Sequence, residues 1–254
     1  MKDIEYILEF AAGLGAGMLA SGAPLERADD SMKRVCYSYG LKEVSLFSLN
    51  SIIQLAAKTP EGEYADRQVA VPASDIHLEK LTSLNSLSRR VCRELPAPEG
   101  LMGMLDDASA AGDYSVGMRL LGRLIAMTSL GFMFGGTAGD IISADIVVFI
   151  LFWMLKAFSR TSVNQIITNL VTMLFAGTAS LFLVWIGLGQ NYFIIIIICG
   201  MMRIPGIGLV NAARNLLCGN EMNGILEMIK ALLEALAIVL GLVASIFLFG
   251  GNVL

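Results

Sequence analysis

Cysteine and histidine are scarce in this chain, and so are the chemistries that need them. Cys36, Cys92, Cys199 and Cys218 lie far apart, with no CxxC pair and no ligand-like spacing. They read as reduced structural thiols, which argues against a disulfide framework or a zinc centre. His77 is the single histidine, at the start of an expected helix; a lone helix-start histidine describes it better than a proton relay. The sequence also lacks G-x-S-x-G, H-E-x-x-H, the phosphate-binding G-x-x-x-x-G-K-[ST] and any strand-linked G-x-G-x-x-G. Gly13, Gly15 and Gly17 fall inside a helical pattern, where close packing suits them better than phosphate binding. No enzymatic activity, cofactor or metal is therefore expected. Basic runs are missing too, and a net charge of -4 is small and mixed, which argues against a nucleic-acid partner.

Charge itself becomes scarce after Arg123. Of the 18 Lys and Arg residues 13 lie up to that point, as do 17 of the 22 Asp and Glu, leaving 5 of each for the rest. What replaces charge is a series of long apolar stretches such as Ile141 to Phe158 and Met222 to Phe249. Lipid offers no hydrogen-bond partners, so a spanning segment must be a helix of about 20 mostly apolar residues. Two domains follow: an α+β domain over residues 1-115 and an all-α membrane domain over 116-254.

In the first half, Ile4, Ile7, Leu8, Ala11, Leu14 and Met18 recur at helical spacing up to the Ser21-Gly22-Ala23-Pro24 break. Asp3, Glu5 and Glu9 stand where a signal peptide needs positive charge, so the segment reads as an amphipathic helix of the soluble domain. A second helix is expected from Leu25 to Tyr39, stopped by Gly40. Strands are expected at Glu43 to Leu49, Ser51 to Ala57 and around Gln68 to Val71, with Thr59-Pro60-Glu61-Gly62 as a turn. Helices near Asp75 to Arg93 and Glu99 to Ala111 complete the domain.

Five spans are expected: Leu120 to Phe134, Ile141 to Phe158, Ile166 to Ile186, a fourth starting near Tyr192, and Met222 to Phe249. Arg119, Arg123, Lys156, Arg160 and Arg214 then share one side, whereas the loops Gly135 to Asp140 and Gly187 to Gln190 contain no Lys or Arg. By the positive-inside rule the N-terminal domain is cytoplasmic, and an odd number of spans sends Gly250 to Leu254 outside.

The fourth span is unlike the others. Tyr192 to Arg203 is too short to cross a bilayer at about 1.5 Å per residue, and Arg203, Pro205, Gly206, Gly208, Asn211 and Arg214 follow. Proline removes an amide donor and clashes with the preceding turn, so the helix is expected to break at Pro205-Gly206. A new helix starting near Ile207 would aim free amides and a positive dipole end toward Arg203, which makes a carboxylate site. A simple proline kink, or an interfacial helix from Ile207 to Leu217, is the alternative.

Polar residues elsewhere in this half need explaining as well. Asn164, Asn169, Thr172, Thr178 and Ser180 decorate the third span, either joining helices or lining a cavity, and Asn169 lies deepest of the asparagines. Asp145 sits inside the second span. Glu227, Lys230 and Glu234 share one face of the fifth. Glu234 either exchanges a proton during a transport cycle or is held ionised by Lys230.

Three segments resemble the threonine/serine exporter family of bacterial inner-membrane proteins. Gly17-Met18-Leu19-Ala20-Ser21-Gly22-Ala23-Pro24-Leu25-Glu26-Arg27-Ala28 is similar to that family's entry helix and turn, and Ser74-Asp75-Ile76-His77-Leu78-Glu79-Lys80-Leu81 with Leu84-Asn85-Ser86-Leu87-Ser88 to its last soluble helix. The closest likeness is Arg203-Ile204-Pro205-Gly206-Ile207-Gly208-Leu209-Val210-Asn211-Ala212-Ala213-Arg214, with Gly219-Asn220 and Gly224 after it. The resemblance implies a cytoplasmic N-terminal domain, a helical transport domain and export of small hydrophilic metabolites driven by an ion gradient. It also implies the split form, in which a smaller membrane protein supplies a further membrane region; some split pairs are associated with dicarboxylate export. Where the family tends to carry an acidic residue after the Asn-x-x-Arg stretch, this chain has Asn215.

The expectation is a proton-coupled secondary transporter subunit of the bacterial inner membrane that exports threonine and serine or a dicarboxylate such as succinate. Its partners are the lipid bilayer, the small-molecule substrate and the smaller membrane protein, with an oligomer left open. Arg203 and amides near Ile207, exposed by Pro205 and Gly206, would hold the carboxylate, and Asn211 and Asn169 would add hydrogen bonds. Arg214 would serve as a second cation, and Asp145 and Glu234 as coupling or ammonium-binding carboxylates. The rival is a membrane-anchored scaffold or sensor whose soluble domain binds a cytoplasmic partner.

Overall fold

The computed structural model describes residues 2–49, 51–72, 76–110, 114–159, 161 and 163–249. Ser74, Asp75, Ala111, Arg160 and Gly250 to Leu254, which figure in the expectations above, lie outside those residues. The chain divides into two compact units. One comprises Met1–Asp113 together with Asn211–Gly224, the other Tyr114–Val210 together with Ile225–Leu254.

The first unit is built around α1 (Lys2–Ala20), which packs against α2 (Leu25–Ser38), α3 (Leu78–Glu94), α4 (Leu101–Ser109) and the sheet. Partners on so many sides bury the helix nearly all round. Phe10, Ala12 and Ala16 are as inaccessible as the expected stripe of Ile4, Leu8, Ala11, Leu14 and Met18, so α1 is a central rod and not a half-exposed amphipathic helix. The three glycines are where the neighbours come close. A Cβ on Gly13 would lie 2.9 Å from Leu105, one on Gly17 3.1 Å from Leu84, and one on Gly15 would overlap Met32. Helix α2 stops where expected, because Gly40 takes φ +79, open to glycine at little cost.

Strands β1 (Lys42–Leu49), β2 (Ile52–Lys58) and β3 (Tyr64–Ala70) form an antiparallel sheet in the order β1-β2-β3. Strand β3 begins at Tyr64, earlier than the hydrophobic pattern suggested, because every residue from Tyr64 to Ala70 has a partner on β2. The turn at Thr59 to Gly62 closes through the Gly62 amide bonding to the Thr59 carbonyl at 3.0 Å. His77 stands immediately before α3, and its carbonyl accepts the first helical bond from the Leu81 amide at 2.9 Å.

Asn211–Gly224 packs with this unit, although its sequence reads as part of the membrane half. The buried Asn223 amide donates to the Ser48 carbonyl of β1 at 2.9 Å.

The second unit holds α5 (Val116–Met133), α6 (Ala138–Phe158), α7 (Gln165–Trp185), α8 (Tyr192–Met201), the first turn of α9 (Gly206–Leu217) and most of α10 (Glu221–Phe249). Helix α5 starts four residues before the expected Leu120, with Ser115 as its cap accepting from the Met118 amide at 3.3 Å. Four of these helices are long and apolar enough to cross a membrane, and α8 with α9, bent by 56°, makes up to a fifth.

An apolar core of residues such as Val147, Leu151, Met173 and Ile195 is surrounded by an outer surface that is apolar as well. Leu121, Ile125, Phe149, Trp153, Leu232 and Leu236 face outward, whereas Ser143, Asn169, Thr172 and Ser180 are fully buried. Exposed apolar surface costs about 25 cal/mol per Å² in water and nothing in hydrocarbon. The unit is therefore a multi-pass membrane bundle.

Candidate functional site

The expected break at Pro205 is present between α8 and α9 and has a local cause. Pro205 has no N–H to offer the Met201 carbonyl and its ring crowds that turn, so α8 cannot continue. The chain tightens instead: the Arg203 amide bonds to the Gly200 carbonyl at 2.8 Å, and Gly206 to Ile204 at 2.8 Å. Helix α9 restarts at Gly206, and its Leu209 amide bonds to the Pro205 carbonyl at 3.0 Å. The first-turn amides of Ile207 and Gly208 have no carbonyl four residues behind them within α9. Gly206 itself keeps an ordinary φ, and a Cβ there would meet nothing within 4 Å. Proline alone thus accounts for the bend, and the space beside Gly206 is open.

Arg203 turns back from the break to α7, where its Nη2 donates to Asn169 Oδ1. Asn169 is fully buried, and its own Nδ2 has no hydrogen-bond partner among the described residues. A buried amide without a partner costs roughly 1–3 kcal/mol, and this one retains the capacity to donate to a further acceptor. The guanidinium, the Asn169 amide and the start of α9 belong to one unit.

The other candidates are more dispersed. Asp145 on α6 accepts from Thr128 of α5 at 2.7 Å, and its second oxygen is buried without a partner. It lines a hollow of about 330 Å³ with Leu124, Ile142, Ile146 and Phe149. Glu234 is half-buried on α10, and Lys230 is exposed one turn before it. Asn211 and Arg214 fall in the first unit, where Arg214 lies 3.7 Å from Glu26.

Several polar residues of α7 turn out to serve the helix itself. Asn164 caps its start by accepting from the Ile166 amide at 3.0 Å. Thr172, Thr178 and Ser180 donate to carbonyls of the preceding turn at 2.6, 2.9 and 2.7 Å.

Sequence reasoning missed Asp140, placing it only at the edge of a loop. The residue is 1% exposed, and its carboxylate closes two helix starts. Oδ2 accepts from the Thr137 amide and hydroxyl at 3.0 and 2.8 Å, completing a capping box on α6, while Oδ1 accepts from the Gln190 and Asn191 amides at 2.7 Å each. The signal was available: Thr137-Ala138-Gly139-Asp140 before an apolar run has capping-box spacing.

Among the described residues no group of histidine, cysteine and carboxylate side chains is placed to hold a metal. No curated protein and no solved structure matches the chain. The family model for the threonine/serine exporter (ThrE) matches residues 9–249, running through the α1 core, the sheet, the spans and the broken segment. With nearly its whole length covered by that match, the chain belongs to the threonine/serine exporter family.

Proposed function

We propose that the chain is a proton-coupled secondary transporter subunit that exports small carboxylate-bearing metabolites, threonine and serine foremost and a dicarboxylate such as succinate as the other candidate. In this reading it sits in a bacterial inner membrane with the N-terminal unit in the cytoplasm, and a smaller membrane protein completes the pathway. The observation that carries it is the pairing of Arg203 with buried Asn169 beside the α8–α9 break. The Arg203 guanidinium and the amides of Ile207 and Gly208 supply positive charge and donors for one carboxylate, and the spare Asn169 amide supplies another donor. Asp145 and Glu234 are the carboxylates available to take up a proton or to meet an ammonium.

The test is flux of threonine, serine and succinate from loaded proteoliposomes, with the smaller membrane partner present. Arg203→Gln keeps hydrogen-bonding capacity but removes the charge, and export falls at least about tenfold, the equivalent of about 1.4 kcal/mol. Gly206→Leu places a side chain in open space, so thermal stability is retained while export is lost. Unchanged flux of all three compounds in both variants, where wild type moves one of them, rules the site out.

A further inference from the structure

The first unit carries a hollow of about 260 Å³ whose lining residues are all polar or charged. Helix α2 presents Glu26, Asp30 and Arg34 to it at successive turns, with Arg27 beside them; α3 contributes Arg89 and α9 contributes Arg214. The chain as a whole is acidic, at -4, yet four guanidinium groups meet two carboxylates here.

These charges do not quench one another. Among the described residues Arg27, Arg34 and Arg89 hold no ion pair, and neither does Asp30. The one pair present, Arg214 with Glu26, is loose at 3.7 Å, and both side chains are about half exposed, at 52% and 53%. Charge-assisted hydrogen bonds close to about 2.7–2.9 Å, and an exposed pair at longer range exchanges partners at little cost. Unpaired cations and an unpaired anion around one hollow complement a small molecule that bears both signs.

The volume limits the choice further. At about 30 Å³ per water, the hollow holds roughly eight or nine waters' worth of matter, a size that suits a small metabolite. With polar and charged residues alone around it, affinity comes chiefly from charge and hydrogen bonds.

We propose that this hollow binds a free α-amino acid, its carboxylate on the guanidinium groups of Arg34 and Arg89 and its ammonium on Asp30 and Glu26. The site is separate from the one at Arg203, and its existence does not depend on export.

The test is equilibrium dialysis of the purified full chain in lipid nanodiscs against radiolabelled threonine at low salt. In an Arg203→Gln background, which removes the transport site, one threonine site remains and is displaced by serine. Adding Arg34→Gln and Arg89→Gln weakens that site at least about tenfold, the equivalent of about 1.4 kcal/mol. Asp30→Asn weakens threonine binding as well but spares or strengthens binding of succinate, which has no ammonium to lose a partner. All the residues changed in the hollow are exposed, so folding is preserved and is checked by thermal unfolding. Threonine binding unaffected by the arginine changes overturns the proposal. So does displacement of threonine by succinate or inorganic phosphate as effective as that by serine, which marks a general anion patch. Full binding and normal export in Arg203→Gln alone count against the transport site and leave this one standing.

Discussion

Among the buried side-chain atoms without a hydrogen-bond partner, one on Asn169 in the second unit and one on Asp29 in the first differ in how far the sequence announced them. Asn169 was singled out by its depth in an apolar stretch, and its link to Arg203 explains why an asparagine is placed there. Asp29 gave no such warning, because in sequence it sits in an ordinary charged helix. Its Oδ1 is buried without a partner. Burial pushes its carboxyl above the usual range, with the Ser48 hydroxyl and Lys33 pulling the other way and Asp30 adding to the rise. A carboxyl raised by folding favours the native state most when protonated, below about pH 3.9. That contribution is lost as pH rises through the elevated native value. At pH 8 the wild type therefore carries a cost that Asp29→Asn does not. Hydrogen exchange in α2 and β1 should be slower in the variant at pH 8, and the two proteins should converge toward about pH 4. Faster exchange in the variant at pH 8 would mean that the charged form is well solvated and this account of Asp29 is wrong.

Helix ends and helix crossings show which features of an element a sequence can express. Apolar periodicity located every long helix, because hydrophobic burial and lipid exposure both write themselves into composition. The proline broke the fourth span where steric reasoning says it must. Pairings over long sequence separations were not legible: nothing local says that Asp140 reaches Gln190 and Asn191, or that Arg203 reaches Asn169. Gly241 is another case. A Cβ there would lie 2.5 Å from the Leu170 carbonyl oxygen and 2.9 Å from the Leu174 amide, both backbone atoms that cannot swing aside. Close approach of α7 and α10 thus depends on a missing side chain, as small residues allow in membranes. Gly241→Ala is expected to force the two helices apart, and Asp140→Ala to strip four hydrogen bonds from two helix starts. Each should cost about 2 kcal/mol or more and lower the unfolding temperature in detergent. Asp140→Asn should fall between, since an amide oxygen still accepts from Gln190 and Asn191 while its nitrogen cannot accept from Thr137. Equal stability of Asp140→Ala and wild type would show that water replaces the carboxylate at both helix starts.

At the scale of the whole molecule, the division of polarity was legible from composition, but the allegiance of Asn211–Gly224 was not. That segment reads as the end of a span, yet it belongs to the first unit through contacts such as Asn223 with Ser48. Its placement makes orientation measurable with a thiol already present. Cys218 is exposed in this segment, whereas Cys36 and Cys199 are buried. Burial also pushes the Cys36 thiol up to about 12, so almost no reactive thiolate forms at neutral pH. Cys92, half-buried, belongs to the same unit as Cys218. If the N-terminal unit faces the cytoplasm, a membrane-impermeant maleimide should spare Cys218 in intact spheroplasts and modify it in inverted vesicles. Cys218→Ser should remove most of that signal, with Cys92→Ser accounting for the remainder. The positive-inside assignment rests on Arg119, Arg123, Lys156, Arg160 and Arg214, of which Arg123 lies over the Phe152 ring at 5.1 Å and Lys156 over Trp153 at 4.9 Å, contacts suited to an interfacial belt. Labelling of Cys218 from outside would invert the topology. It would also put the amino-acid hollow on the face from which exported substrate leaves.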